Sequence, residues 1–190
     1  MRITKQRAAD NRERVVEEAA RLFREKGFDG VGVAELMAAA GLTHGGFYNH
    51  FSSKAQVEAA ACAHVFDRSV AKISAIAEAR DDRAFAAYCA RYVSAQARDA
   101  SAASCPMVAF AGDVSRQSEG VREAYAKGLA AYLQEFVKAS GASRGHALRA
   151  FAELVGALTL ARSVASSDPA LSDEILTAVL QGSAIAGIAE

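Results

Sequence analysis

The sequence has no tryptophan, only two prolines and only three cysteines, none of them in a Cys-x-x-Cys pair. Scarce proline removes the commonest helix breaker, and together with abundant alanine it predicts an all-α protein. The odd number and wide spacing of the cysteines argue against a disulfide framework or a zinc site. They favour free thiols in a reducing compartment.

Long apolar runs are also missing. No stretch approaches the roughly 18 apolar residues of a transmembrane helix, and the N-terminus has no signal-peptide core. We therefore expect a soluble, cytoplasmic protein without a membrane partner. The 22 basic and 22 acidic residues cancel, which argues against indiscriminate coating of nucleic acid or membranes. The balance is uneven, because residues 1–56 hold nine basic and seven acidic side chains.

Apolar residues recur at helical spacing along most of the chain. The pattern predicts a first helix that ends at Gly27, a second over about 33–40 and a third over about 43–51. Ser53 followed by Gln56 is a capping box that opens a long fourth helix. Further helices are predicted over 81–99, 120–138, 144–166 and 169–187, with a short one after Pro106.

The stretch GLTHGGFYNHF at 41–51 crowds glycines, histidines and aromatic residues together and contains no acidic residue. Each glycine costs a helix about 1 kcal/mol relative to alanine, so the glycine pair needs a reason. Three short helices with a turn at Gly41 have the layout of a helix-turn-helix. On a helical wheel, Phe47 and Phe51 face the core, and the glycines lie on the opposite side.

The exposed side of this third helix suits a DNA groove. Its glycines allow a close backbone approach, and His44, Tyr48 and Asn49 offer hydrogen-bonding groups to phosphates and base edges. Lys54, at the start of the fourth helix, is placed to hold a phosphate. The alternative is a glycine-rich loop with buried aromatics, since short helix-turn-helix patterns often arise by chance.

Two blocks of sequence favour the DNA-binding alternative. The first is the pattern A-x-x-L-F-x-x-x-G-F from Ala19 to Phe28, and the second is AGLTHGGFYNHFSSK from Ala40 to Lys54. With these blocks, residues 10–58 resemble the DNA-binding domain of the TetR/AcrR (tetracycline-repressor-like) family of bacterial regulators. Two positions depart from the family pattern: Gly32 replaces a Thr or Ser helix cap, and Met37 replaces a small alanine.

The resemblance implies an all-α protein with two parts. An N-terminal three-helix helix-turn-helix domain (1–56, motif at about 33–51) is joined by a long helix to a C-terminal helical domain (57–190) for effector binding and dimerisation. A homodimer would bind a palindromic double-stranded DNA operator, with the side chains of the third helix on phosphates and base edges. The expected DNA-binding residues are Thr43, His44, Gly45, Gly46, Tyr48, Asn49, His50 and Lys54.

The last two predicted helices are candidates for the dimer interface. Their small residues Gly156, Gly182, Ser183 and Gly187 permit close helix approach. Alternatively, their apolar stripes are buried only within their own subunit. The expected interface residues are Phe151, Val155, Leu158, Ile175 and Val179.

A small-molecule effector would bind among the preceding helices, where Tyr88, Tyr92, Met107 and Phe110 are candidate contacts. Such residues are more often core than pocket. Cys105 stands at a predicted helix N-terminus, where backbone amides lower a thiol pKa. Its segment resembles a branch of the family in which some members sense electrophiles or oxidants. Cys105 is therefore a candidate thiol sensor, against the alternative of a buried, inert cysteine.

Two other classes of protein were weighed. An enzyme finds little support, since Cys62 and His64 point about 200° apart on a helix and no metal-binding His-x-x-x-His or phosphate loop occurs. No catalytic residue, metal or cofactor is expected. A helical interaction module would leave the acid-free glycine face unexplained. The sequence predicts a transcriptional regulator, a repressor rather than an activator, that responds to a ligand or to thiol modification.

Overall fold

The computed structural model describes residues 5–100 and 105–182, which contain helices and turns and no β-strand. The all-α prediction is confirmed. None of the described helices is long and apolar enough to span a bilayer. The α-helices are α1 (Lys5–Lys26), α2 (Val33–Ala39), α3 (Lys54–Ala79), α4 (Asp82–Tyr92), α5 (Ala95–Asp99), α6 (Pro106–Phe110), α7 (Glu119–Ser140), α8 (Arg144–Val164) and α9 (Pro169–Gln181), with short 3-10 helices at His44–Asn49 and Val114–Arg116.

Helix ends follow local sequence signals. Gly27 adopts φ +74° after α1, as only glycine does easily. At the start of α3, the Ser53 side chain accepts a hydrogen bond from the Gln56 backbone N–H at 3.2 Å. The return bond goes from the Ser52 backbone N–H to Gln56 Oε1 at 2.8 Å, one residue earlier than in an ideal capping box.

Two predicted helices differ from the structure. The third is a 3-10 helix rather than an α-helix, with the Gly46 N–H donating to the Thr43 carbonyl at 3.0 Å; paired glycines weaken α-helical preference at this point. The helix predicted over 81–99 is broken into α4 and α5, because Ser94 caps a new helix by accepting from the Ala97 N–H at 3.1 Å. Ser183 and Gly187 lie outside the described residues.

The N-terminal helices enclose a small aromatic core. Phe23, Phe28, Leu36, Phe47 and Phe51 are all fully or nearly fully buried. The turn before the 3-10 helix uses Gly41 at φ +68°. Met37 is accommodated inside this core, and Gly32 caps α2 without any side-chain hydrogen bond, as its lack of a side chain requires.

The rest of the chain is built around the long pair α3 and α7. They cross closely at Gly128, where an added Cβ would lie 2.2 Å from Cγ of the buried Phe66. The hairpin of α8 and α9 packs beside α7, and Phe151 of α8 stacks near Tyr132 and Phe136 with ring centroids 5.2 and 5.1 Å apart.

An aromatic column joins the N-terminal helices to the remainder of the molecule. Phe28 lies 5.3 Å from Phe23 and 4.8 Å from Phe110 between ring centroids. Phe110 is the last residue of α6, whose N-cap is Cys105. The short α6 therefore extends from Cys105 to the core around α1, while α3 also packs on α1 and runs without a break into the second half.

Candidate nucleic-acid interface and cavity

The exposed surface of the 3-10 helix carries the predicted DNA-binding residues. Tyr48 is 74% exposed and holds an edge-to-face contact with the buried Phe47 at 5.2 Å between ring centroids. Thr43, His44 and Asn49 are also exposed. Nothing lies within 4 Å of a Cβ built on Gly45, so this residue presents bare backbone to solvent.

The remaining three predicted residues are less open. Gly46 is half-buried, with Thr43 Oγ1 3.6 Å from its would-be Cβ. His50 is half-buried at the C-cap of the 3-10 helix. The Lys54 Nζ donates to the Phe28 carbonyl at 2.8 Å and lies 3.2 Å from Glu58 Oε1, so its charge is partly neutralised within the protein.

A cavity of about 610 Å³ lies between α1, α3, α4, α5 and α8. Three of the predicted effector-site residues, Tyr88, Tyr92 and Cys105, line it together with Tyr132. Met107 and Phe110 do not line the cavity, and that prediction is corrected. Both side chains are buried at 2% and 0% exposure because α6 turns them into the core, where Phe110 packs on Phe28.

Tyrosine hydroxyls gather at the inner end of the cavity. The hydroxyls of Tyr88 and Tyr132 share a short hydrogen bond, and burial raises the pKa of both phenols. Tyr92 is only 7% exposed, and its hydroxyl has no oxygen or nitrogen partner among the described residues. Burial is the largest cause that raises the Tyr92 pKa. These neutral phenols can donate hydrogen bonds to a ligand.

The thiol of Cys105 is not activated in the way that its helix position predicts. Burial raises the pKa of Cys105 and outweighs the lowering effects of Tyr92 and of the backbone of Met107, because desolvation disfavours the thiolate. The helix that Cys105 caps has only five residues. Cys62 and Cys89 are completely buried, and burial raises the pKa of each to about 12. Because the Cys105 side chain is partly exposed, it is the most accessible of the three thiols.

Comparison with known proteins identifies the N-terminal part. Residues 15–61 match the family described as "Bacterial regulatory proteins, tetR family". The match contains the buried α1 and α2 core and the whole 3-10 helix. The N-terminal part of the chain is therefore similar to the DNA-binding domain of tetR-family regulators. In the structure this helix-turn-helix domain is followed by a helical C-terminal domain.

Individual relatives agree with the family. The uncharacterized HTH-type transcriptional regulator YerO of Bacillus subtilis is 33% identical over 69 residues, which are 36% of this chain and 24% of YerO, so the match spans about a quarter of that protein. The reduced form of NemR from E. coli superposes with a TM-score of 0.75 at 21% identity, covering 94% of this chain and 96% of NemR. A TetR-family regulator from Cytophaga hutchinsonii gives 0.76 at 19% identity, covering 98% of both chains.

The structure places the predicted dimer-interface residues in two groups. Phe151 and Leu158 are buried at 5% and 2% exposure within the protomer, so an interface role for their side chains is corrected: they fill its own core. Val155, Ile175 and Val179 are half-buried against the core. The most exposed large apolar side chains of this hairpin are Leu160, Leu171 and Leu180, at 58%, 41% and 46%.

Sequence reasoning missed two features of the structure. Arg12 of α1 lies over the ring of Phe51 at 4.5 Å to the centroid, which places a cation beside the end of the 41–51 segment. The basic side chains of α1 and α3 at the cavity were also missed, because the wheel treats each helix alone and does not show which faces of two distant helices meet.

Proposed function

We propose that this protein is a TetR-family repressor that binds a palindromic operator as a homodimer and is released by a small effector or by modification of Cys105. The main support is the outward face of the 3-10 helix, where Gly45 exposes its backbone and Tyr48 its side chain. The sequence has no acidic residue between positions 41 and 51. Such a face permits close approach to a groove and does not repel phosphate.

In this proposal, the residues of the 3-10 segment divide the contacts. Thr43, Tyr48 and His50 hold phosphates, while His44, Gly45, Gly46 and Asn49 face base edges. Lys54 binds a phosphate by exchanging its present partners, Glu58 and the Phe28 carbonyl, for the DNA backbone. Phosphate contacts fix orientation, and base contacts supply sequence preference.

Homodimerisation would use the outer face of α8 and α9. On α9, Leu171 and Ile175 fall on one side at about 100° per residue, and Leu180 falls on the opposite side. Exposed Leu160 and half-buried Val155 contribute from α8. A two-fold dimer would hold its recognition helices about 34–36 Å apart, one turn of DNA, or a multiple of it.

The cavity is the proposed effector site, and two structural connections link it to the DNA-facing part. Its walls include residues of α1 itself. Cys105 at the cavity is also joined through α6 to Phe110, which packs on Phe28. An occupant or an adduct on Cys105 favours a different spacing of the recognition helices only by its differential affinity for that state.

The proposal also assigns residues 1–56 to DNA binding and residues 57–190 to effector binding and dimerisation, in a cytoplasmic protein without enzymatic activity. The division is supported by the α8–α9 hairpin, which lies outside the three N-terminal helical segments, and by the cavity, whose lining comes mostly from α3 and later elements and only in part from α1.

Fluorescence anisotropy tests the proposal. Labelled DNA from upstream of the protein's own gene, a scrambled DNA and a pool selected from random sequence are titrated across a salt series. We expect tight binding to one sequence, with affinity falling steeply as salt rises. Tyr48→Ala should weaken that binding, and Tyr125→Phe, which leaves the DNA face intact, should not. Equal weak binding to every sequence, including the selected pool, would contradict the proposal.

A further inference from the structure

The lining of the cavity is strongly unbalanced in charge. Six basic side chains and two carboxylates line it together with three tyrosines, so the lining carries an excess of positive charge. The two carboxylates, Glu17 and Glu18, both belong to α1. The basic residues are Arg21, Arg24, Arg68, Lys72, Arg91 and Arg162.

Several of these charges lack a carboxylate within the described part of the chain. Arg21 is fully paired, with Glu18 at 2.9 Å and Glu25 at 3.0 Å. Arg24, by contrast, donates its Nε to the Ala20 carbonyl at 2.7 Å and forms no ion pair. Lys72 and Arg91 are exposed and form none. Arg68 has only a long pair to Glu17, at 3.9 Å.

Arg24 and Arg68 also lie close enough to repel each other. Burial is the first cause that lowers the pKa of Arg24, and the positive charge of Arg68 is the second. Two neighbouring guanidinium groups on different helices, one of them partly buried, are the arrangement that a bound carboxylate would stabilise.

The interior favours an aromatic body over an aliphatic chain. Tyr88, Tyr92 and Tyr132 supply ring faces and hydroxyls, and within the described residues the Tyr92 hydroxyl interacts with the weakly bonding Cys105 thiol and with no oxygen or nitrogen. Nε2 of His64, also at the cavity, is buried without a hydrogen-bond partner in the described ranges. A ligand with a ring and a polar group can stack on the tyrosine rings and pair with His64 Nε2, whereas an alkyl chain offers that nitrogen no hydrogen bond.

We propose that the effector is an aryl carboxylic acid whose carboxylate lies between Arg24 of α1 and Arg68 of α3 and whose ring lies among Tyr88, Tyr92 and Tyr132. This inference rests on the proposed function and specifies the ligand of the same cavity. The carboxylate would bridge α1, a helix of the DNA-binding domain, to α3, which continues into the C-terminal domain. Binding would therefore restrain one domain against the other.

Calorimetric titration of the full-length protein without DNA tests the proposal. The probes are benzoate, 3-phenylpropanoate and 4-phenylbutanoate, each paired with its primary amide, and octanoate as an aliphatic acid. We expect at least one aryl acid to bind about tenfold or more tightly than its amide, because charge-assisted hydrogen bonds require the carboxylate. Octanoate should bind more weakly than the best aryl acid.

Substitutions of the two arginines test which side chains bind the carboxylate of the ligand. Arg24→Gln and Arg68→Gln should each weaken the aryl acid about tenfold and leave the amide unchanged. Lys127→Gln removes one positive charge from an exposed site on α7 outside the cavity and should change affinity less than about twofold. If Arg24→Gln does not fold, as judged by circular dichroism and thermal melting, Arg68→Gln alone decides.

Four results would overturn the inference. These are equal binding of acid and amide, tighter binding of octanoate, no binding of any aryl acid at millimolar concentration, and an unchanged acid affinity in Arg68→Gln. Operator binding is measured separately by anisotropy. If Arg24→Gln and Arg68→Gln instead weaken operator binding and flatten its salt dependence, these cations contact DNA. A protein that binds the acid but no operator would contradict the proposed function and leave the cavity assignment intact.

Discussion

Single residues in this protein set how closely helices approach and how reactive a thiol is. Gly128 is the clearest case, because α3 and α7 cross at its backbone and Phe66 occupies the space of a side chain. Cys105 is the second, because its surroundings rather than its place at a helix start determine its pKa.

Replacing Gly128 by alanine should lower the free energy of unfolding by about 1–3 kcal/mol. The added methyl group overlaps the buried Phe66, and this cost exceeds the roughly 1 kcal/mol that alanine contributes to a helix interior. Urea unfolding at fixed protein concentration measures the change. Gly120→Ala on the same helix is the control, since its Cβ would lie 3.8 Å from Ala59 Cβ, an ordinary contact. A Gly128→Ala protein as stable as Gly120→Ala would contradict the close crossing.

The alkylation of Cys105 should depend steeply on pH. Burial raises the thiol pKa above its ordinary value, so the thiolate is a minor species at neutral pH and increases as pH rises. The rate of reaction with N-ethylmaleimide should rise about tenfold per unit between pH 6.5 and 8.5. Mass spectrometry should find the label on Cys105 first, with Cys62 and Cys89 labelled only after unfolding. A rate that levels off near pH 7 would mean an activated thiol instead.

At the scale of elements, the 3-10 helix His44–Asn49 is the part that would contact DNA in the proposed function. The buried ring of Phe47 anchors this helix to the N-terminal core, and Tyr48, His44 and Gly45 face solvent. The element is short and its outward face has few contacts of its own, so changes there should alter DNA binding and leave folding unchanged.

Gly45→Glu should lower operator affinity about a hundredfold or more, because a carboxylate at the point of closest approach repels phosphate. Nothing lies within 4 Å of the added Cβ, so thermal stability should stay unchanged. Anisotropy and thermal melting measure the two effects. Gly112→Glu adds the same charge at another open glycine and should retain full affinity. Similar losses in both variants would indicate a general charge effect.

At the scale of the whole molecule, two surfaces matter: the α8–α9 hairpin, where a second protomer would bind, and the aromatic column within one protomer. The hairpin leaves Leu160 and Leu171 exposed, and the second protomer of the proposed dimer would cover them. The column of Phe23, Phe28 and Phe110 joins the two halves of one protomer. In the proposed function, dimerisation and the coupling between the cavity and the N-terminal helices would therefore use different surfaces.

Leu171→Glu should dissociate the proposed dimer and, with it, reduce operator binding. A buried, unpaired carboxylate at a two-fold interface appears in both protomers and is costly. Sedimentation velocity measures the oligomeric state across protein concentrations. Leu180→Glu, on the opposite side of α9 and similarly exposed at 46% against 41%, should remain dimeric. Dissociation by Leu180→Glu alone would place the interface on the other side of the helix.

The sequence predicted which side chains of the 3-10 helix are buried and which are exposed better than it predicted the lining of the cavity, for physical reasons. Phe47 and Tyr48 are sorted by one helix period, so a wheel separates the buried ring from the exposed one. The burial of Phe110 and the raised pKa of Cys105 depend on contacts with α1 and with the tyrosines of α4 and α7, which no local pattern contains. Ser94, likewise, interrupts a continuous apolar pattern because a hydroxyl can cap a new helix.

The contact between Phe28 and Phe110 also limits how this protein can be recombined. A chimera that grafts residues 1–56 onto the C-terminal part of another regulator removes the ring on which Phe28 rests. Unless the new C-terminal part supplies an aromatic residue at the end of its own equivalent of α6, the grafted residues 1–56 lose a packing contact of their core. They also lose the aromatic contact that connects them to the cavity. The unit to exchange when building hybrid biosensors is therefore residues 1–56 together with α6.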